Sequence, residues 1–224
     1  MGDWTGRRRA WVRLVLAAAS LAAVPEHARA QDRESEGGAG GVEVTGYVGL
    51  LTPLAKLADQ GDTISAEFST KAAFALELDL WLDNGLGLAV VGGYSRPDLT
   101  LQLFEEDAAF PVPIELGSAD MWFATADVMF RPNLGGAAAV LKPYVGVGAG
   151  VLSVTYPQVE DIRIGDETRF VGNIFAGAHY LVTGPLFARL DVRDYISRLD
   201  TPPFEETRIQ HDLIVSFGLG LHVP

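Results

Sequence analysis

Thr70-Lys71-Ala72-Ala73-Phe74-Ala75-Leu76-Glu77-Leu78-Asp79-Leu80-Trp81-Leu82-Asp83 decides the fold. Phe74, Leu76, Leu78, Leu80 and Leu82 hold one parity, and Ala73, Ala75, Glu77 and Asp79 hold the other. Successive side chains of a strand point to opposite faces, so this period of two predicts a strand with one apolar and one polar side. Asn84-Gly85 follows at once. That dipeptide tolerates positive φ at both central positions of a tight hairpin.

The same alternation recurs to the end of the chain. In Pro185–Tyr195, Leu186, Ala188, Leu190 and Val192 alternate with Phe187, Arg189, Asp191 and Arg193. In the last segment, Leu213, Val215, Phe217, Leu219, Leu221 and Val223 alternate with Asp212, Ser216, Gly218, Gly220 and His222. Weaker versions run through 42–51, 86–94, 122–130, 144–156 and 170–182, which makes eight candidate strands. Each is close to the ~9–11 residues a tilted strand needs to cross a bilayer.

Short and long connections alternate. Asp83–Gly85 and Thr183–Pro185 are tight, and 131–141 is of medium length. The stretches 52–69, 95–120, 157–169 and 197–210 are longer and more polar. A soluble sandwich has no reason to sort its loops by parity, whereas a membrane barrel has short turns on one side and long loops on the other. Leu99, Leu101 and Leu103, and later Ile162 and Ile164, continue the alternation into two long connections, so some strands are expected to project as hairpins. The predicted fold is an all-β, closed, antiparallel up-and-down transmembrane barrel of about eight strands over residues 42–224.

Arg7, Arg8, Arg9 and Arg13 precede the apolar stretch Leu14–Val24, and Ala28-Arg29-Ala30 is a small-x-small cleavage pattern. Residues 1–30 therefore read as a secretory signal peptide cut after Ala30. Residues 31–41 are polar and then glycine-rich, a flexible lead-in. Removing five basic and two acidic residues from 17 Lys+Arg and 29 Asp+Glu leaves 12 and 27, a formal charge of −15. Such acidity argues against nucleic-acid binding. With no cysteine there is no disulfide framework, thiol nucleophile or cysteine metal site.

The segment Lys142-Pro143-Tyr144-Val145-Gly146-Val147-Gly148-Ala149-Gly150-Val151 resembles the Pro-Tyr-x-Gly-x-Gly-x-Gly strand of the small OmpA/OmpX-type outer-membrane barrels. The last strand is similar to that family's C-terminal assembly signal, with Leu221 and Val223 three and five residues beyond Gly218. It ends on Pro224, where the family usually has an aromatic residue. The resemblance covers about residues 41–224. It implies location in the outer membrane of a Gram-negative envelope. It also implies contact with membrane lipid and lipopolysaccharide, and recognition of the last strand by the barrel-assembly machinery.

Parity assigns a polar lumen set, within which Glu77, Asp79, Asp127, Arg189, Asp191 and Arg193 are the charged members. An eight-stranded barrel is only wide enough for its side chains, so these charges must pair into a plug. Thr125, Asn173, His179, Asp212, Ser216 and His222 share that face. No metal-ligand spacing, cofactor motif or Ser–His–acid set stands out. Ser216 and His222 are separated by six residues on one strand, too far for proton transfer. No enzymatic activity is expected.

The acidic clusters Glu105-Glu106-Asp107, Glu160-Asp161 with Asp166-Glu167, and Asp200 with Glu205-Glu206 read as solvated loop surface. Trp81, Trp122, Tyr94, Phe130, Tyr144, Tyr156 and Tyr180 lie near strand ends and read as interfacial girdles.

The expected role is structural or envelope-stabilising, with long loops available to an extracellular partner and a monomeric barrel. The alternatives are a narrow porin-like channel for ions or small solutes, and a soluble lipocalin-like binder with an apolar lumen. Intact mass of the exported protein is expected to correspond to a chain beginning at Gln31; a mass that retains residues 1–30 contradicts the cleavage assignment.

Overall fold

The computed structural model describes residues 40–54, 58–59, 64–82, 84–103, 112–132, 141–159, 162–163, 166–199 and 208–223. The expected signal peptide lies outside the described residues, as do most of the lead-in and the acidic clusters at 105–107, 160–161, 200 and 205–206. In chain order the elements are β1 (Gly41–Pro53), β2 (Ala58–Asp59), β3 (Ile64–Phe68), β4 (Lys71–Trp81), β5 (Leu86–Ser95), β6 (Asp98–Leu103) and β7 (Val112–Ser118). They continue with β8 (Asp120–Phe130), β9 (Leu141–Thr155), β10 (Gln158–Val159), β11 (Ile162–Arg163), β12 (Asp166–Thr183), β13 (Leu186–Leu199) and β14 (Arg208–Val223).

Eight of these close into one antiparallel barrel in the order β1-β4-β5-β8-β9-β12-β13-β14. β14 returns to β1 in a register running from Val42↔Val223 to Pro53↔Asp212. At the turn between β4 and β5, Gly85 has φ 81°, a conformation that favours glycine, and Leu86 N–H donates to Asn84 Oδ1 at 3.1 Å. Gly184, with φ 49°, makes the turn between β12 and β13.

The outer wall is apolar. Val48, Leu76, Leu88, Val147, Ile174, Leu190 and Leu219, which come from seven strands, are each more than half exposed. A continuous belt of this kind is a surface built for lipid rather than water. This arrangement overturns the lipocalin-like alternative, which needs charged side chains outside.

Two expectations about connections need correction. The stretch 52–69 contains β2 and β3, and β3 pairs with β6 from Ile64↔Leu103 to Phe68↔Leu99. Strands this short gain stability only from a partner distant in sequence, so local alternation does not reveal them. They join β6 and β7 in a four-stranded sheet of order β2-β3-β6-β7, whose strands lead into or out of β4, β5 and β8. Secondly, β9, β12, β13 and β14 are 15, 18, 14 and 16 residues long, beyond the ~9–11 that a bilayer crossing requires.

Asp98 clamps the outer sheet to the barrel. Its carboxylate meets Lys71 Nζ at 2.7 Å and accepts from Ser118 Oγ at 2.7 Å, while its N–H donates to Ser69 Oγ at 3.0 Å. The bond from Lys71, followed by that from Ser118, holds the Asp98 carboxyl below the usual carboxylate range. A depressed pKa contributes stability above the ordinary value, and that contribution is lost as pH falls through the depressed one. Amide protection in β6 and β7, corrected for intrinsic exchange, should therefore fall below about pH 4, and Asp98→Asn should remove that dependence. On the lipid face, Val147→Arg should cost about 2–4 kcal/mol of barrel stability in a urea titration.

Candidate functional site

The inward parity converges on the lumen at three levels. The central level is ionic. Arg189 on β13 is 1% exposed and its Nη1 meets Glu77 Oε1 at 2.7 Å and Asp79 Oδ2 at 2.5 Å, both on β4. Its Nε donates to the Tyr144 hydroxyl at 2.9 Å, and that hydroxyl donates to Asp191 Oδ2 at 2.6 Å. Arg193, two repeats of the alternation further along, pairs with Asp127 on β8 and reaches Glu77 Oε2 at 3.1 Å. Asn173 Nδ2 donates to Asp127 Oδ1 at 2.9 Å, and the Tyr47 hydroxyl donates to Glu77 at 3.3 Å. Glu77, Asp79, Asp127, Arg189, Asp191 and Arg193 thus lie in one buried network that spans the barrel between strands that are not neighbours.

Glycines make room for it. A Cβ on Gly146 would strike the Phe175 ring, and one on Gly148 would strike the Asp127 carboxylate. A Cβ on Gly177 would strike the Tyr144 hydroxyl. Phe175, seated in the first recess, carries the Arg193 guanidinium 4.0 Å above its ring, a cation–π contact.

The level near the short turns centres on Glu43. Trp81 Nε1 donates to Glu43 Oε2 at 2.9 Å, and Arg131 lies 3.6 Å from Oε1 and 4.0 Å over the Trp81 ring. His179 and His222 each come within 3.7 Å of the same oxygen. Ser216 lies opposite Asp191 and Gly49 in register, whereas His222 lies opposite Glu43, so the serine and the histidine belong to different levels. Thr125 also faces inward, and Asp212 sits at the outer end with Gln210 Nε2 donating to it at 2.9 Å.

The outer level carries an apolar cluster beside a buried polar group, in which Arg169 Nη2 lies 3.9 Å from Asp212 Oδ2. Leu51, Val91, Phe123, Leu152, Tyr195 and Ile214 pack inside the barrel and join Phe68 and Leu99 of the outer sheet. Sequence reasoning missed this level because inward residues that are as apolar as their outward neighbours produce no alternation. The signal was present in stretches such as Met121-Trp122-Phe123, where both parities are apolar. Glu43, Tyr47 and Arg131 were missed as well.

The girdle assignment is corrected for three residues. Trp81 and Tyr144 are 3% and 1% exposed and face the lumen, since their polar tips serve Glu43 and Asp191. Tyr156 packs against Phe68, ring centroids 6.2 Å apart. Trp122, Phe130 and Tyr180 are exposed on the wall, and Tyr94 packs against Trp122 with ring centroids 4.5 Å apart and the planes tilted by 43°.

No family model matches the sequence, and no curated protein matches it. The fold does have relatives among solved structures. OprG, an outer membrane protein of Pseudomonas aeruginosa, is similar with a TM-score of 0.57 and 13% identity, covering 85% of this chain and 100% of that one. Outer membrane protein AlkL, determined in DMPC bilayers, is similar with a TM-score of 0.51 and 16% identity over 86% of this chain and 95% of that one. Neisserial surface protein A is similar with a TM-score of 0.50 and 14% identity over 82% and 97%. The chain has the fold of the small eight-stranded outer-membrane barrels. Its apolar belt marks the wall of this barrel as lipid-facing.

Asp127→Ala removes one partner of a buried pair and is expected to cost about 3–5 kcal/mol. Lys71→Ala, which breaks an exposed pair, should cost less than about 1 kcal/mol. Urea unfolding in detergent micelles, followed by tryptophan fluorescence, measures both.

Proposed function

We propose that this protein is a closed outer-membrane barrel, plugged at its waist, that supports the envelope and meets extracellular partners through its outer sheet. The observation that carries the reading is the cross-lumen network of Arg189 and Arg193 with carboxylates of β4 and β8. A buried guanidinium released from its carboxylates costs several kcal/mol, so a lumen built in this way resists opening. The apolar packing beneath the outer sheet and the Trp81–Glu43–Arg131 group at the other end support the same reading.

Interaction at the cell surface is supported by the sheet itself. Among the described residues β7 pairs with β6 alone, and its Pro113, Ile114 and Glu115 are exposed. An edge of this kind can accept an extended segment as an added strand. Assembly would proceed through β14, the strand that closes the barrel on β1, and the folded barrel would stand as a monomer in lipid and lipopolysaccharide.

Planar-bilayer recording tests the plug. The native protein is expected to show no steady conductance, and Arg193→Ala to introduce discrete leak steps. Steady conductance from the native protein would overturn the plug and favour a narrow ion channel.

A further inference from the structure

One oxygen at the short-turn end of the lumen has three claimants. Glu43 Oε2 accepts from Trp81 Nε1 at 2.9 Å, which fixes the carboxylate. Its Oε1 faces Arg131 Nη1 at 3.6 Å, His179 Nε2 at 3.7 Å and His222 Nδ1 at 3.7 Å. A full hydrogen bond needs about 2.7–3.2 Å between heavy atoms, so none of the three holds this oxygen outright.

The claimants differ in charge and in access to water. Arg131 is charged at every working pH, and its guanidinium lies 4.0 Å over the Trp81 ring. Histidine is the side chain whose ordinary charge change falls between about pH 5 and 8. His179 is 6% exposed and packs on Phe187, ring centroids 4.3 Å apart. It lies between Lys142 on β9 and Arg189 on β13 in register, so a proton there would meet two further cations. His222 is placed differently. Its side chain is 35% exposed, and its ring lies over Gly41, where a Cβ would strike it. It faces Glu43 directly across the seam where β14 closes on β1. Asp79, the partner of Glu43 on the β4 side, is committed to Arg189 at 2.5 Å.

We propose that this group is an acid-operated latch. When His222 takes a proton from solvent, its Nδ1–H takes Glu43 Oε1 from Arg131, and the guanidinium leaves the Trp81 ring. One charge-assisted contact replaces another, so the exchange proceeds without breaking the ionic network at the waist. What changes is the face the mouth presents, a guanidinium capped by Glu43 and Trp81 at neutral pH and a free one in acid.

Trp81 reports the exchange. Residues 31–224, the chain expected after export, contain two tryptophans, Trp81 and Trp122, so Trp122→Phe leaves Trp81 as the sole probe. In protein folded in detergent micelles and taken from about pH 8 to about pH 5, the Trp81 indole N–H resonance should shift in one step. Its fluorescence should change with the same midpoint. His222→Gln should abolish both changes. His222→Lys, which keeps a positive charge at that place, should hold the acid-state signals throughout. His179→Gln should leave the step intact, and Arg131→Gln should abolish the fluorescence change, since no guanidinium remains to be displaced. A step that survives in His222→Gln overturns the latch, and so does the absence of any step in the Trp122→Phe protein. A His222→Lys protein whose signals still titrate overturns it as well.

Discussion

A guanidinium inside an eight-stranded barrel has nowhere to go except to a carboxylate. The lumen is too narrow to keep it hydrated, and desolvating an ion costs several kcal/mol unless a partner with good geometry meets it. Arg189 and Arg193 satisfy that constraint across the tube, one against Glu77 and Asp79 on β4, the other against Glu77 and Asp127 on β8. Much of the interior follows from this. The registers of β4, β8 and β13 must bring those side chains to one height, and Gly146, Gly148 and Gly177 must leave the space they and their aromatic neighbours occupy.

The barrel itself was largely legible in the sequence, because a strand with lipid on one side and a crowded polar lumen on the other writes its period directly into the residues. Glu77 and Asp79 shared a parity with each other, as did Arg189 and Arg193, and parity alone placed them on one face. Which carboxylate meets which guanidinium was not legible, since Arg189 and Asp79 are 110 residues apart and the pairing depends on barrel closure. Trp81 and Tyr144 were misread because an aromatic near a strand end has two uses, at the lipid interface or as a hydrogen-bonding wedge inside the lumen. Only the presence of Glu43 and Asp191 nearby distinguishes them.

The outer half was the least legible part. There the inward residues are Leu51, Val91, Phe123 and Ile214, so both faces of a strand are apolar and alternation fades. The short strands β2 and β3 depend on β6, which local sequence cannot anticipate. The result is a molecule whose interior changes character along its axis, ionic at the waist and richer in apolar side chains, around a buried Arg169–Asp212 pair, toward the projecting sheet. Its exterior below that sheet is a belt for lipid. The sheet that projects beyond the belt is held in place by Asp98.

The cross-lumen pairs stabilise one another rather than merely tolerating burial. A double-mutant cycle on Arg193→Met and Asp127→Leu, read from urea unfolding in lipid bilayers, tests it most directly. The expected coupling energy is about 2–3 kcal/mol, with the double variant more stable than the sum of the single losses implies. A coupling near zero would contradict it.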